Sequence, residues 1–388
     1  MTPVSSAAAI SFWRVDRVRG YVWRVRRGFL FLLAVLFCGV GRADWKPALA
    51  GWNYRFPADH GSHAGFKTEW WYFTGNLRTA DGREFGYQLT FFRHGVREPG
   101  ASPATSRFVV NDVKFAHFAV SEISGNRFHH FQRLERGAFG EAGFDEPERL
   151  AWIRDWTCER TGENGFRISA KEEEISIELD MTSAKGPVVH GRNGVSQKAE
   201  GEGRASHYYS LTRLETKGTI TISGKPFAVT GTSWFDHEWG SNQLAAHQKG
   251  WDWFSLQFDD GTEIMLFQIR TDDDKQDPHS AGTFVFEDGS ELQIGQAGFS
   301  LEPVAWWRSD ESGANYPVEW RLSVRALDLE IEIKPRLRRQ ELDSKPFVYW
   351  EGAVHASGMR KAKPVEAVGY LEMTGYAGRI VGLQPPAQ

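Results

Sequence analysis

Gly231-Thr-Ser-Trp-Phe-Asp-His-Glu-Trp-Gly240 packs two carboxylates, an imidazole and three aromatic rings into ten residues. Phe227, Val229, Thr230 and Thr232 lead into it with the aromatic and β-branched side chains of a strand. Along a strand alternate side chains share a face. Trp234, Asp236 and Glu238 therefore point one way, and Phe235, His237 and Trp239 the other. Carboxyls held between indole rings are poorly hydrated, which raises the pKa of at least one of them. An earlier stretch, Glu69-Trp70-Trp71-Tyr72-Phe73, has the same character.

Outward from these two stretches, short strands and turns alternate. Glu69–Arg78 and Glu84–Arg93 read as a hairpin around Asp81-Gly82. Val113–Val120, Ala151–Cys158, Phe166–Ala170, Ile175–Met181, His207–Leu214 and Thr219–Ile222 follow as strands. Residues 185–203 have several glycines and no hydrophobic period, which predicts a loop long enough to serve as a lid. The character changes between Leu244 and Gly250. A second series then runs through Trp251–Phe258, Glu263–Arg270, Thr283–Phe286, Glu291–Ile294, Leu327–Ile333, Phe347–Val354 and Val368–Tyr376. Amphipathic helices longer than three turns are absent, so the class is all-β. Repeated hairpins suit two antiparallel barrels or sandwiches, with domains at 44–243 and 244–388.

Composition narrows the function. The chain of 388 residues carries 16 Trp, 27 Phe and 10 Tyr, as suits sheets or cavities that hold flat apolar surfaces. A mean hydropathy of -0.45 argues against a multispanning membrane protein. Arg14, Arg17, Arg19, Arg24, Arg26 and Arg27 precede an apolar run at 28–40, and Gly41-Arg42-Ala43 supplies small residues for cleavage. Residues 1–43 thus read as a signal peptide of an exported protein, periplasmic or secreted. The basic region is long enough that translation could start downstream of Met1. The apolar run is short for a membrane span, an uncleaved anchor being the alternative. Without residues 1–43 the net charge of -4 becomes -10, because seven Arg and one Asp are lost. Such an acidic chain has no electrostatic reason to bind nucleic acid. Cys158 is then the sole cysteine, which excludes an internal disulfide.

Several chemistries lack their motif. There is no G-x-S-x-G elbow, no Gly-rich phosphate loop and no H-E-x-x-H helix. His60-x-x-His63 with His237 or Glu238 has zinc-compatible residue types. It equally suits a loop pair that caps turns, and no metal or other cofactor is expected. His129-His130 would face opposite ways on a strand and read as surface residues. Glu69 is either a structural carboxylate at a strand start or part of the chemistry. Trp251 and Trp253 read as core or cavity lining.

Together, Glu69-Trp-Trp-Tyr-Phe-Thr-Gly-Asn-Leu77, Gly231-x-x-Trp-Phe-Asp-His-Glu-Trp-Gly240 and Tyr370-Leu-Glu-x-Thr-Gly-Tyr376 resemble the carotenoid 1,2-hydratase (CrtC) and AttH group of lipocalin-like secreted proteins. The resemblance spans nearly all of 44–388. It implies two packed lipocalin-like β-barrel domains with an apolar ligand site near their junction. In the hydratase members it implies cofactor-free addition of water to an isoprenoid double bond. Asp236 sits where that pattern has its proton donor. Its neighbours Trp234-Phe235 and His237-Glu238-Trp239 place the chain nearer the AttH side.

Two functions follow. In the first, an enzyme, Asp236 donates a proton, Trp234 and Trp251 stabilise a developing cation, and His237 or Glu238 positions water. Glu69 completes the candidate catalytic set, and Trp70, Tyr72, Trp239 and Trp253 join Trp234 and Trp251 around the substrate. In the second, a carrier, the same barrel holds an isoprenoid, lipid or pigment without chemistry.

Overall fold

The structure, a computed structural model, describes residues 44–99, 106, 108–145 and 149–379. The signal peptide predicted at 1–43 lies outside the described residues. Among the described residues no helix is long and apolar enough to cross a membrane.

The chain is all-β, folded into two antiparallel sheets. In the first, the spatial order is Arg127–Glu135, Asp112–Glu122, Glu84–Gly95, Thr68–Arg78, Lys225–Gly240, Ala205–Ile222, Ile175–Ser183, Gly165–Glu172, Trp156–Arg160, Arg149–Ile153 and Ala142–Phe144. Its two ends approach each other. Arg133 donates to the Ile153 carbonyl at 3.3 Å, and Phe118 packs edge-on against Trp156. The sheet is thus a nearly closed barrel. The second sheet runs Glu291–Gly295, Ala281–Val285, Glu263–Thr271, Gln248–Phe258, Lys363–Met373, Phe347–Arg360, Leu329–Pro335, Asn315–Val324 and Phe299–Arg308. The change of sheet falls in the link after Gly240, and Arg42–Gln388 is one compact unit.

Each sheet encloses its own apolar core. A third cluster, with Tyr72, Tyr208, Trp234, Trp253, Phe267 and Tyr370 at its heart, joins the two. The sheets come close together beside Gly86, where a Cβ would stand 2.7 Å from the Ala353 Cβ. Only glycine allows that distance without moving one sheet. Polar struts reinforce the contact: Thr232 donates to Gln257 at 2.6 Å, and Asn76 to the Gly369 carbonyl at 3.1 Å.

Most predicted strands are present, with differences at three places. Ala151–Cys158 is two strands split by a turn at Arg154 (φ +55°). Ile153 and Trp156, three positions apart, are both buried with exposed Arg154 and Asp155 between them, so the turn shifts the phase of the alternation. His207–Leu214 and Thr219–Ile222 are one strand, Ala205–Ile222, with a bulge between Leu211 and Leu214 that shifts the register. Residues 185–203 form a strap rather than a free lid. Val188–Val189 and Ser196–Gln197 pair with the Ala205–Ile222 strand, and Lys185 forms a 2.7 Å ion pair with Glu263 of the second sheet. Strands Arg127–Glu135, Phe299–Arg308 and Asn315–Val324 escaped prediction. The first two present few fully buried side chains, so their apolar pattern is weak. His129 and His130 are half-buried on the first of them.

Candidate active site

The Lys225–Gly240 strand lies between Thr68–Arg78 and Ala205–Ile222, and this pairing builds the site. In register, Asp236 faces Tyr72 on one neighbour and Ser210 on the other, while His237 faces Trp71 and Tyr209. Cross-strand partners share a face. The alternation read from the sequence therefore sorts two separate polar groups onto the two faces of one sheet.

The first face borders a cavity of about 370 Å³ between the sheets. Trp70, Tyr72, Asp236 and Glu238 line it from the first sheet; Trp251, Trp253, Phe267 and Glu372 line it from the second. Asp236 is only 4% exposed. Its Oδ2 accepts from Tyr208 Oη at 2.7 Å, and its Oδ1 accepts from Trp234 Nε1 at 2.6 Å and from Ser210 Oγ. Burial pushes this carboxyl up to about 7, against the pull of those hydrogen bonds, and nearby Glu238 adds to the rise. A carboxyl that titrates near neutrality is suited to give and take protons at working pH.

Behind Asp236 the polar chain continues. His190 Nε2 lies 2.6 Å from Ser210 Oγ, and its Nδ1 lies 2.9 Å from Thr283 Oγ1. Burial, with Lys198 nearby, pushes His190 down to about 3, so the ring is a neutral partner. Trp253 Nε1 donates to Tyr208 Oη at 3.0 Å, and that hydroxyl's own proton is free to go to Asp236. Lys198 Nζ stands 3.2 Å from Glu238 Oε1 and 4.0 Å from the centre of the Phe267 ring.

The second face holds the other predicted residues. His237 Nε2 lies 3.0 Å from Glu69 Oε1, and His63 Nδ1 2.7 Å from the same oxygen. Arg93 donates to Glu69 Oε2 from Nε at 3.2 Å and from Nη2 at 3.1 Å. Trp239 stacks on the His63 ring with centroids 3.7 Å apart. Burial opposes ionisation of Glu69, yet the hydrogen bonds and charge of His237 and His63 outweigh it and hold the carboxyl well below its usual range. This is a buried ion network tying the 58–63 loop to the sheet.

The predicted site is therefore divided. Asp236, Glu238, Trp70, Tyr72, Trp251 and Trp253 meet at the cavity. Trp234 stands behind Asp236 and orients it by its N–H. The side chains of His237 and Trp239 belong to the opposite layer, because odd and even positions cannot share a face of the same strand, and the Glu69 carboxyl joins them through His237 although Glu69 also borders the cavity. The indole N–H groups of Trp234 and Trp251 point at carboxyls, Asp236 and Glu372. Sequence reasoning passed over Tyr208, Ser210, His190 and Lys198. Their strand and strap lie apart from the motif in the chain and meet it only by pairing. Glu372 sat inside the Tyr370–Tyr376 motif but carried no signal of its own.

As for metals, donor atoms of His63, Glu69 and His237 all lie within 4.8 Å of one another, a zinc-compatible set by residue type. Each ring nitrogen is engaged: His63 Nε2 with Asp59 Oδ1 at 3.1 Å, and His237 Nδ1 with the Asp59 carbonyl at 2.9 Å, besides the contacts to Glu69. His60 turns away to Tyr209 Oη at 2.6 Å, so the His60/His63 pair does not converge.

Comparison with known proteins adds four findings. Residues 47–376 match the AttH-like family. The chain superposes on an AttH structure from Nitrosomonas europaea with a TM-score of 0.77 and 34% identity, covering 85% of this chain and 99% of that one. Kievitone hydratase from Nectria haematococca shares the fold at a TM-score of 0.66 and 16% identity, over 86% of this chain and 98% of its own. Among curated proteins, the dehydratase asqC of Emericella nidulans is 21% identical over 223 residues, 54% of this chain, and the match spans 60% of that protein's length.

Proposed function

The chain belongs to the AttH-like family, and on that premise we propose that it adds water to, or removes water from, an apolar small molecule held in the aromatic cavity. Asp236 exchanges a proton with the substrate's carbon. The observation that carries this reading is a carboxyl buried in the cavity wall and titrating near 7. Hydrogen bonds from Tyr208, Ser210 and Trp234 fix the carboxyl's orientation, and the Trp70, Trp251 and Trp253 rings offer apolar surface for the ligand. The names of two relatives, a hydratase and a dehydratase, point the same way.

The test is incubation of the full chain with unsaturated and hydroxylated apolar compounds in ¹⁸O-labelled water. Label entering product, and loss of that label in Asp236→Asn, is the expected result. A ligand recovered unchanged after long incubation would favour the carrier, in which the same carboxyl only anchors a polar end.

Export forms part of the proposal, on the basic and then apolar run of residues 1–43. Expressed in a Gram-negative host, the protein is expected in the periplasmic fraction with an intact mass that lacks the leader. Full-length protein confined to the cytoplasm would refute export.

A further inference from the structure

Elimination of water across a carbon–carbon bond moves two protons, one off carbon and one on to the departing hydroxyl. Asp236 serves one of these transfers. A second carboxyl, Glu372, reaches the same cavity from the Lys363–Met373 strand of the other sheet. Its direct cross-strand partner is Glu351, so the two carboxyls share a face at roughly 5 Å between Cβ atoms. Glu351 is 1% exposed. Trp251 Nε1 donates to Glu372 at 2.8 Å, while Glu351 has only the Tyr72 and Tyr349 hydroxyls for donors and makes no hydrogen bond within 3.5 Å among the described residues. The groups facing the pair are acids and phenols: Asp236 and Glu238 beside Glu372, and Tyr72 and Tyr349 beside Glu351.

Two buried carboxyls at that spacing with no cation between them cannot both ionise. Burial drives both upward; Glu372 raises Glu351 further, and Asp236 and Glu238 raise Glu372. Asp236 has donors from Tyr208, Ser210 and Trp234 stabilising its anion, whereas Glu372 has one. When the site holds one carboxylate and one acid, the carboxylate is Asp236 and the proton stays with the glutamates.

Resting on the reading of Asp236 above, we infer that Glu372, with Glu351 behind it, is the second catalytic group, and that the substrate is a β-hydroxy ketone or the enone it forms. In elimination the C–H bond breaks and its proton passes to the Asp236 carboxylate. The C–O bond breaks, and the hydroxyl leaves as water with the Glu372 proton. The C–H electron pair becomes the C=C bond. Addition runs the same steps backwards, and Asp236 gains the proton that the glutamate pair loses. A carboxylate removes a proton from carbon only where a carbonyl acidifies it, which sets the substrate class. Lys198, at the cavity wall beside Glu238, supplies the cation for that carbonyl oxygen. Glu351 acts through Glu372 and is a positioning residue.

The probes are benzylideneacetone, an apolar enone, and its water adduct, with an isoprenoid alkene alongside. The wild type is expected to interconvert the first two. Glu372→Gln should lower kcat about 10²-fold or more with KM little changed, and Glu372→Asp should restore part of it. Glu238→Gln removes a like charge that raises Glu372, so the alkaline limb of its pH–rate profile should move down. A Glu372→Gln enzyme with unchanged kcat and profile overturns the inference. So does a wild type that hydrates the alkene through Asp236 but leaves the enone untouched, and in that case the role of Asp236 stands. No turnover of the enone by a folded wild type also overturns it. If Glu372→Gln fails to fold, an unshifted profile in Glu238→Gln is decisive against it.

Discussion

Asp236→Asn is expected to lose water-transfer activity by about 10²- to 10⁴-fold while becoming more stable than the parent at pH 8. Asn keeps the shape, its Oδ1 still accepts from Trp234 and its Nδ2 can donate to the Tyr208 hydroxyl, but it has no proton to exchange. The stability gain follows from linkage. The folded carboxyl titrates near 7, against an ordinary value of 3.8. Between these values the folded state holds a proton that the unfolded chain releases, so parental stability falls as pH rises through that window and levels off above it. The cost is at most about 4 kcal/mol, and the variant escapes it. Melting curves at pH 4 and pH 8 should show the variant's advantage growing with pH by several degrees. A variant equal to the parent at both values would mean that Asp236 is not forced to ionise in an apolar wall.

Glu69→Gln is expected to unfold the protein far more readily, with no direct effect on chemistry. Glu69 is fully buried, and Arg93, 4% exposed, depends on it for its countercharge. Removing one partner of such a pair costs about 3–5 kcal/mol, because the other charge is left in the interior. At about 2–4 °C per kcal/mol for large domains, the melting temperature drops by roughly 10 °C. Replacing Glu69 and Arg93 together by apolar residues should cost less than the single change, the signature of coupling. The pH dependence has two limbs. The carboxyl of Glu69 is held low, so its stabilisation is present above its ordinary pKa of 4.5 and disappears as pH falls through the depressed value. His63 is held above 6.5, despite burial, by Asp59 and Glu69; its share is present below 6.5 and is lost as pH rises through the raised value. The deficit of Glu69→Gln should therefore be largest between these limits. A deficit independent of pH would show that the network does not carry charge.

These two variants separate what the motif had presented as one site. Period-two alternation is a local property of a strand, so the chain itself determined that Asp236 and Glu238 face one way and His237 and Trp239 the other. Alternation and turn residues likewise determined the β class, and the Trp-rich segments carried the family likeness. Which face borders a cavity is not local. It was decided when Thr68–Arg78 and Ala205–Ile222 flanked the motif strand, bringing Ser210 and Tyr208 to Asp236 and Glu69 to His237. The Glu351–Glu372 pair needed still more, since the residues lie on strands that become neighbours only when the second sheet forms. Periodicity records whether a side chain is wet or dry. What stands opposite it depends on register and sheet packing, which are chosen by contacts between distant segments.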